Sequence, residues 1–279
     1  MSVVYVDGTW APQGQAAVPI DDLGLVRGLA VFETIRVYAG APFRLEAHLR
    51  RLADSCASLR LPWRWEPGAL EAIVAEAVRR NAADEGAVKI LVTGGSSASD
   101  GRPRAETPRL VVSAWPLLDD ARRREAGVAL ITYPHERWMP TLKTVNYAAA
   151  SLALQDAEAA GAWDALYVGR DGAVSECTMR NFFGVRQDGT LVTPAADVLL
   201  GVTRAEVIDI SRELALQLDE GELWQSELAE LAEAFMTSTL AEITPVIAID
   251  GRAVGAGQPG PLTRRIQAAF AERIRPTRG

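Results

Sequence analysis

The alternation of hydrophobic and polar residues divides the first part of the chain into strands and two amphipathic helices. Period-two or continuous apolar runs predict strands at 3–6, 31–38, 88–93 and 110–115. Apolar residues then recur every three or four positions over 45–59 and 67–82, which indicates two helices with one buried face each. Asp7-Gly8 separates two short apolar runs and is typical of a hairpin turn.

The second part of the chain is richer in strands and turns. Asp171-Gly172 and Asp188-Gly189 lie between apolar runs, so hairpins are predicted over 164–175 and 182–193. Further strands are expected at 234–238 and 246–250. Helices are expected at 146–160, 203–216 and 262–274.

A polar stretch after the strand at 110–115 marks the predicted domain boundary. It contains two aspartates and three consecutive arginines, and we interpret it as a linker. The chain is therefore predicted to comprise an N-terminal α/β domain at 1–116, a linker at 117–126 and a C-terminal domain at 127–279.

Composition narrows the class of protein. With 48% hydrophobic and 23% charged residues, the chain has the profile of a globular protein. A net charge of −7 argues against nucleic-acid binding through phosphate contacts. The sequence shows no signal peptide and no apolar run of the ~20 residues that a membrane helix needs, so no membrane partner is expected. Two cysteines form no disulfide framework, which favours a reduced, cytoplasmic protein.

Lysine is almost absent from the chain. Only Lys89 and Lys143 occur among 29 basic Lys and Arg residues. Arginine cannot become a neutral amine nucleophile, so a retained lysine points to use of its amine, as in the Schiff base of a pyridoxal phosphate enzyme. Only two histidines occur, which also favours chemistry carried by a bound cofactor. The alternative is that both lysines are ordinary surface residues.

Glu176 is the candidate acid for such a cofactor. A pyridine ring works as an electron sink when its nitrogen is protonated, and a neighbouring carboxylate favours that form. If the segment is extended, Glu176, Thr178 and Arg180 share one face. The alternative is a surface glutamate at a strand end.

Three features suit a phosphate group. Gly201 precedes a predicted helix, whose first N–H groups point outward and attract anions. Hydroxyls cluster at 237–239, and Arg51 lies three residues after His48 on a predicted helix. Each feature has a plainer interpretation, namely a turn glycine, a loop and a solvated arginine.

Together and in this order, these segments resemble the class IV aminotransferases, the fold-type IV family of pyridoxal phosphate enzymes. That family includes branched-chain and D-amino acid aminotransferases, R-selective amine transaminases and aminodeoxychorismate lyase. The resemblance covers most of the chain. The matching segments are 31–36, 48–52, 143–146, 172–176, 181–183, 193–194, 201–204 and 237–246.

The resemblance implies roles for individual residues. Lys143 would bind the cofactor covalently and move the proton, while Glu176 would pair with the pyridinium nitrogen. Tyr147 would hydrogen-bond the phenolic oxygen of the cofactor. The phosphate would be held by Arg51, the backbone of Val202 and Thr203, and Thr239, with Ser238 as a neighbour.

The resemblance also implies an architecture. The family fold is a two-domain α/β fold with an N-terminal α/β sandwich and a C-terminal, β-rich pseudo-barrel domain. Pyridoxal 5'-phosphate would lie in the interdomain cleft. The family further implies a homodimer in which the partner's N-terminal domain closes the pocket.

The substrate is suggested by departures from the family pattern. Branched-chain enzymes usually carry a tyrosine where this chain has Arg27, and a glycine where it has Thr34. The arginine that well-known D-amino acid enzymes carry in a T-R-G turn is also missing, since the chain reads Thr93-Gly94-Gly95-Ser96.

Other cations compensate for that loss. Arg27, Lys89 and Arg180 fall in segments that border the pocket in this family, and a substrate carboxylate needs a cationic clamp. The pattern resembles a divergent group of D-amino acid transaminases. We therefore expect transfer of the amino group of a D-amino acid to 2-oxoglutarate or pyruvate. The three cations could instead form structural ion pairs. An aminodeoxychorismate lyase-like elimination and transamination of L-branched-chain amino acids are the alternative activities.

Overall fold

The computed structural model describes residues 2–96, 100, 102–117 and 121–275, and the chain divides into two compact units. Unit 1 comprises Met1–Leu118, Leu142–Asn146 and Ile274–Gly279, and unit 2 comprises Asp119–Thr141 and Tyr147–Arg273. The short segment that carries Lys143 thus belongs to unit 1, although it is surrounded in sequence by unit 2. Residues 118–120 of the predicted linker lie outside the described residues.

Unit 1 is built on an antiparallel six-stranded sheet in the order β2-β1-β6-β5-β3-β4. Its strands are β1 (Val3–Val6), β2 (Thr9–Pro12), β3 (Ala30–Tyr38), β4 (Ala41–Pro42), β5 (Gly86–Thr93) and β6 (Arg109–Pro116). The four strands and the hairpin predicted from the apolar runs are confirmed. The long pairing of β3 with β5, from Ala30↔Thr93 to Val37↔Gly86, forms the centre of the sheet.

Three helices accompany this sheet. They are α1 (Leu23–Arg27), α2 (Leu45–Ser58) and α3 (Ala69–Arg80). Leu52 and Cys56 of α2 and Val74 of α3 are fully buried in one hydrophobic core with strand residues such as Ile35 and Ile90. Each of these two helices, α2 and α3, therefore buries one side in the core, as the helical spacing of its apolar residues predicts.

Backbone hydrogen bonds attach the segment 142–146 to β3. The N–H of Phe32 donates to the carbonyl of Lys143 at 2.9 Å, and the N–H of Val145 donates to the carbonyl of Ala30 at 3.2 Å. Gly28, at φ +65°, allows the close approach of Asn146, because a Cβ at Gly28 would lie 2.3 Å from the Asn146 Oδ1. Lys143 is therefore carried by an extended segment fixed against a central strand.

Unit 2 contains a nine-stranded mixed sheet. Its strands are β7 (Val128–Pro134), β8 (Asp164–Val168), β9 (Val174–Cys177), β10 (Asn181–Val185), β11 (Leu191–Pro194), β12 (Leu218–Gly221), β13 (Glu233–Ser238), β14 (Glu242–Ile249) and β15 (Arg252–Ala253). The predicted hairpins β8–β9 and β10–β11 are confirmed. The sheet runs in the order β12-β11-β10-β13-β14-β7-β8-β9, with β15 beside β14.

The sheet of unit 2 closes on itself. Strand β9 at its end also pairs with β10, through Asn181↔Glu176, so β10, β13, β14, β7, β8 and β9 form a closed ring. Fully buried Leu166, Phe182 and Met236 belong to the core that these strands share. Closure of a sheet satisfies strand edges that would otherwise be unpaired. The β-rich, pseudo-barrel form expected of the C-terminal domain is therefore present.

The helices of unit 2 are α4 (Ala121–Ala126), α5 (Ala148–Ala159), α6 (Val202–Glu213) and α7 (Pro261–Ile274), with a 3-10 helix at Gln225–Glu230. The last three α-helices match the predicted ones within three residues at each end. Helix α5 lies on the connection between the parallel strands β7 and β8, which need a long crossover. Within the described residues, no helix is long and apolar enough to cross a membrane.

Candidate active site

Both lysines of the chain lie beside the same aromatic ring in unit 1. The Nζ of Lys143 lies 4.8 Å from the Phe32 ring centroid, and the Nζ of Lys89 lies 4.6 Å from it. Both residues are half-buried. Amines against an apolar ring are less hydrated than on an open surface, so the interpretation of both as ordinary surface lysines is not supported.

A buried charge cluster also lies in unit 1. Glu33 of β3 is fully buried and accepts hydrogen bonds from the Nε and Nη2 of Arg51, both at 2.7 Å. The Nδ1 of His48 lies 2.7 Å from the Glu33 Oε2. Arg51 and His48 are one turn apart on α2, and Arg51 is 13% exposed in its side chain. Arg51 is therefore not a solvated helix arginine.

The cluster shifts the pKa of both titratable members. Burial alone would raise the pKa of Glu33, but its bonds with Arg51 and His48 outweigh burial and lower the pKa to about 2. Burial lowers the pKa of His48. Glu33 opposes this shift, and the charges of Arg51 and Lys143 add to it. At neutral pH the cluster is thus a carboxylate, a guanidinium and a neutral imidazole.

Arg27 belongs neither to the pair of lysines beside Phe32 nor to the buried charge cluster. It ends α1, is exposed, and donates from its Nη1 to the carbonyl of Val26 at 2.9 Å. Its assignment to substrate binding stays a prediction.

In unit 2, Glu176 is buried and surrounded by donors. Its Oε2 accepts from the Nδ2 of Asn181 at 2.9 Å and from the N–H of Leu199 at 3.1 Å. Its Oε1 accepts from the Nη1 of Arg137. Three donors on one buried side chain suit an ionised carboxylate, so Glu176 is not a surface glutamate at a strand end.

The segment after Glu176 differs from the extended conformation considered from sequence. Strand β9 ends at Cys177, and 178–180 form a bend closed by the Cys177 N–H donating to the Arg180 carbonyl at 2.8 Å. The face shared by Glu176, Thr178 and Arg180 is therefore not formed. The bend instead turns Thr178 and Arg180 toward the buried Asp164.

Arg180 is held on two sides. Its Nη1 donates to Asp164, which also accepts from the Thr178 hydroxyl at 2.6 Å. Its Cζ lies 3.9 Å from the Trp163 ring centroid, a cation–π contact. Its Nε is buried and has no hydrogen-bond partner in the part of the chain that the structure describes.

The start of α6 has the features of an anion site. Gly201 caps the helix with φ −67° and ψ 139°, and no side chain caps the first turn. The predicted glycine-led helix start, with Val202 and Thr203 as the first residues, is confirmed. A Cβ at Gly201 would lie 2.1 Å from the Asn181 Oδ1, so glycine is required here by close packing and not by backbone strain.

The hydroxyls at 237–239 lie at the end of β13. The Thr237 hydroxyl is buried and has no hydrogen-bond partner among the described residues. Thr237 pairs with Asn181 in the sheet, so the two side chains lie on one face. The Ser238 hydroxyl accepts from the Ala241 N–H at 3.2 Å, and Thr239 is half-buried. Tyr147, also half-buried, directly precedes α5.

Three site residues received no individual role in the sequence analysis. Glu33 is the acid of β3, where it follows three apolar residues, and that position was a usable signal. Asn181 was recognised only as part of the family motif. Arg137 lies in a loop and carries no local pattern that points to Glu176.

Comparison with known proteins identifies the class. The family model described as amino-transferase class IV matches residues 30–249, and the chain belongs to this family of transaminases. The chain is 32% identical to a D-alanine aminotransferase of Bacillus licheniformis over 97% of its own length and 96% of that protein. It is 29% identical to a branched-chain-amino-acid aminotransferase of Pseudomonas aeruginosa, over 98% and 92% of the two chains.

Solved structures agree with the architecture. Branched-chain amino acid aminotransferase of Escherichia coli superposes with a TM-score of 0.90 at 29% identity, covering 97% of this chain and 93% of that one. A second branched-chain amino acid aminotransferase, complexed with N-(5'-phosphopyridoxyl)-L-glutamate, gives 0.89 at 33% identity, covering 99% and 95%. The two-domain α/β, fold-type IV assignment is thus confirmed, and pyridoxal phosphate is the cofactor.

Residues of each unit fit that cofactor. In unit 2, an uncapped helix start, a cradle at Gly201 that a Cβ would fill and an unsatisfied buried hydroxyl at Thr237 suit a phosphate. The buried Glu176, whose carboxyl oxygens accept from three donors, suits a pyridinium nitrogen. In unit 1, the half-buried amine of Lys143 suits an aldehyde.

The buried cluster predicts acid sensitivity. A Glu33 pKa lowered from 4.5 to about 2 contributes stability above pH 4.5 that is lost as the pH falls toward 2. The lowered pKa of His48 acts in the same direction, since protonation below its ordinary 6.5 favours the unfolded chain. Between pH 6 and pH 3, wild type should lose about 2 kcal/mol more unfolding free energy than Glu33→Gln, measured by urea denaturation. Glu46→Gln, an exposed acid on α2, is the control and should follow wild type.

Gly201→Ala tests the packing at the helix start. The new methyl group must displace Asn181 or the loop, which should weaken pyridoxal phosphate binding roughly tenfold, or about 1.4 kcal/mol. Cofactor affinity is measured by quenching of tryptophan fluorescence. The control is Gly14→Ala, because no atom lies within 4 Å of a Cβ there. Equal affinities in both variants would contradict the tight contact.

Proposed function

We propose that this aminotransferase transfers the amino group of a D-amino acid to a 2-oxo acid such as 2-oxoglutarate or pyruvate. The observation that carries the proposal is the state of Arg180. Asp164 and Trp163 fix its guanidinium, yet its buried Nε has no hydrogen-bond partner in the described part of the chain. A buried donor without a partner is costly, and a substrate carboxylate would satisfy it.

The geometry of the ion pair with Asp164 argues against the alternative that Arg180 has only a structural role. The pair uses Nη1, whereas a carboxylate bound in the two-point manner uses the edge formed by Nε and Nη2. The ion pair and the stacking on Trp163 would orient that edge before substrate binds. Arg180 thus resembles a preoriented carboxylate clamp.

Lys89 is the second proposed substrate cation, with Arg27 as a third. The Lys89 ammonium lies beside the Phe32 ring, and the amine of Lys143 lies beside the same ring. A carboxylate bound at Lys89 would therefore lie near the amine that acts on the substrate. D-alanine aminotransferase is among the relatives at 32% identity, which supports this substrate class.

The residues act as follows in the proposal. Lys143 would hold the cofactor through its amine and, once the amine of the substrate has displaced it, would take the α-proton of the substrate and return a proton to the cofactor carbon that carried the aldehyde. Glu176, which accepts hydrogen bonds from Arg137 and Asn181, would hold the proton on the pyridine nitrogen. The bound cofactor supplies the electron sink that makes the α-proton acidic. Tyr147 would orient the cofactor by a hydrogen bond to the cofactor's phenolic oxygen.

The phosphate is assigned to the residues that the family resemblance implies. Arg51 supplies positive charge, and the N–H groups of Val202 and Thr203 supply uncapped donors. Thr239 supplies a hydroxyl, and Ser238 supports the same turn. We further propose a homodimer, as the family resemblance implies, and a cytoplasmic location, which the two cysteines without a disulfide framework favour.

The substrate assignment is tested with the cofactor-loaded enzyme. D-alanine and D-glutamate should convert the bound cofactor to pyridoxamine phosphate, with loss of its visible absorbance band, and L-leucine should do so far more slowly. Faster conversion by L-leucine would indicate a branched-chain enzyme. Release of more than one equivalent of pyruvate per active site from aminodeoxychorismate, with no amino acceptor present, would indicate a lyase.

Arg180→Met should raise the KM for D-alanine about 10- to 100-fold, because one charged contact to the carboxylate is lost. The matched control is Arg186→Met, which removes an arginine that pairs with Asp219 near the surface. An unchanged KM in Arg180→Met would leave the arginine as a structural ion pair only.

The two lysines provide a paired test of the covalent role. Borohydride reduction of the loaded protein, followed by mass spectrometry of peptides, should find the pyridoxyl group on Lys143 alone. Lys143→Ala should lose that label and all turnover, whereas Lys89→Ala should keep the label. A label on Lys89, or activity in Lys143→Ala, would overturn the assignment.

A further inference from the structure

The buried Glu33 and His48 have no role in the proposed transfer, although both are enclosed titratable groups of unit 1 and the charge of Lys143 acts on the pKa of His48. Glu33 is 0% and His48 1% exposed. We infer that both are positioning residues, which hold Arg51 in the orientation that recognises the cofactor phosphate. The inference rests on the proposed function, which assigns Arg51 to that phosphate.

The geometry defines which side of Arg51 is held. Glu33 accepts from the Nε and from Nη2, both at 2.7 Å, in a two-point ion pair. This contact fixes the plane of the guanidinium as well as its position. The phosphate would therefore meet the Nη1 side of a group whose orientation is set before binding.

His48 holds the carboxylate in turn. Burial lowers the pKa of His48, which favours a neutral imidazole at pH 7. Because the ionised Glu33 can only accept, the Nδ1 that lies 2.7 Å from its Oε2 carries the proton and donates it to this hydrogen bond. That oxygen then receives donors from His48 and Arg51 together, which locks the carboxylate between two residues of α2. His48 thus orients Glu33 through a hydrogen bond, in the way that a residue beside a metal site orients a side chain that binds the metal.

The same strand serves both cofactor contacts of unit 1. Phe32 and Glu33 are consecutive residues of β3. The N–H of Phe32 holds the backbone of Lys143, and the side chain of Glu33 holds Arg51. A displacement of β3 would therefore move the proposed amine and the proposed phosphate contact together.

Two effects of Glu33 oppose each other. As a positioning residue it strengthens phosphate binding by fixing Arg51. As a negative charge it weakens phosphate binding by neutralising Arg51. Positioning dominates in our proposal, because recognition of a phosphate by arginine depends on the orientation of its planar donors. The two effects predict opposite results when Glu33 loses its charge.

The experiment compares two probes that differ only in the phosphate. The dissociation constants of pyridoxal and pyridoxal 5'-phosphate are measured on apoprotein by tryptophan fluorescence. The constant for pyridoxal divided by the constant for pyridoxal 5'-phosphate reports the phosphate contribution. Glu33→Gln should lower this ratio about tenfold, within the range for one hydrogen bond to a charged group. A partly misfolded sample weakens both apparent affinities alike, so the ratio is unaffected by incomplete folding.

Companion variants separate positioning from general damage. His48→Leu should lower the ratio as well, whereas His48→Asn, which keeps a donor near the place of Nδ1, should restore it. Glu85→Gln is the matched control, because Glu85 also pairs with an arginine of β3, Arg36, at 3.2 Å. It should leave the ratio at the wild-type value.

The outcomes distinguish the inference from the proposed function. If Arg51→Met leaves the ratio unchanged, the assignment of Arg51 to the phosphate is wrong. If Arg51→Met lowers the ratio but Glu33→Gln leaves it unchanged or raises it, only the positioning role is overturned. In the double variant, Glu33→Gln should cause no further loss beyond Arg51→Met, and an additive loss would show that Glu33 acts by another route.

Discussion

The pairing of Asn181 with Glu176 is the contact on which unit 2 depends. It closes a sheet of otherwise open order into a ring, because β9 meets β10 only at these two residues. The Asn181 amide then binds the Glu176 carboxylate and the Leu199 carbonyl, and its oxygen packs against Gly201. One side chain thus joins the closure of the barrel, the acid assigned to the cofactor ring and the start of α6. Any change at Asn181 would disturb all three.

In unit 1 the corresponding element is β3. Its backbone carries the segment with Lys143, its phenyl ring at Phe32 lies against both lysine amines, and Glu33 binds Arg51. The strand lies between β5 and β4 and is almost wholly buried, so its side chains have little freedom to move. Burying an acid in such a strand is unfavourable unless it is paired, and the arginine and histidine of α2 provide that pairing. The proposed contacts of unit 1 thus lie on a strand that is almost wholly buried.

Arginine supplies most of the charge chemistry of this chain. Arg51, Arg137 and Arg180 each pair with a buried carboxylate, where a planar group with several donors is better suited than an ammonium. Lysine occurs at two half-buried positions beside Phe32, and the role proposed for Lys143 needs a primary amine that arginine cannot replace. Arginine suits positions where the side chain must keep its proton, and lysine suits positions where the amine must be able to lose it.

Local patterns in the sequence determined the strands of unit 1, the two hairpins, the long helices and the glycine-led start of α6, because hydrophobic period and turn chemistry act over a few residues. They also singled out Lys143 by its rarity and, through family motifs, the members of the site. Tertiary structure alone decided that 142–146 joins unit 1, that Glu33 lies between Arg51 and His48, and that Asn181 closes the ring. It also decided that Arg180 turns to Asp164, since the chain bends after Cys177 where an extended face was considered. These contacts join residues 15 or more positions apart, or depend on which strands pair, and no local period specifies register between distant strands.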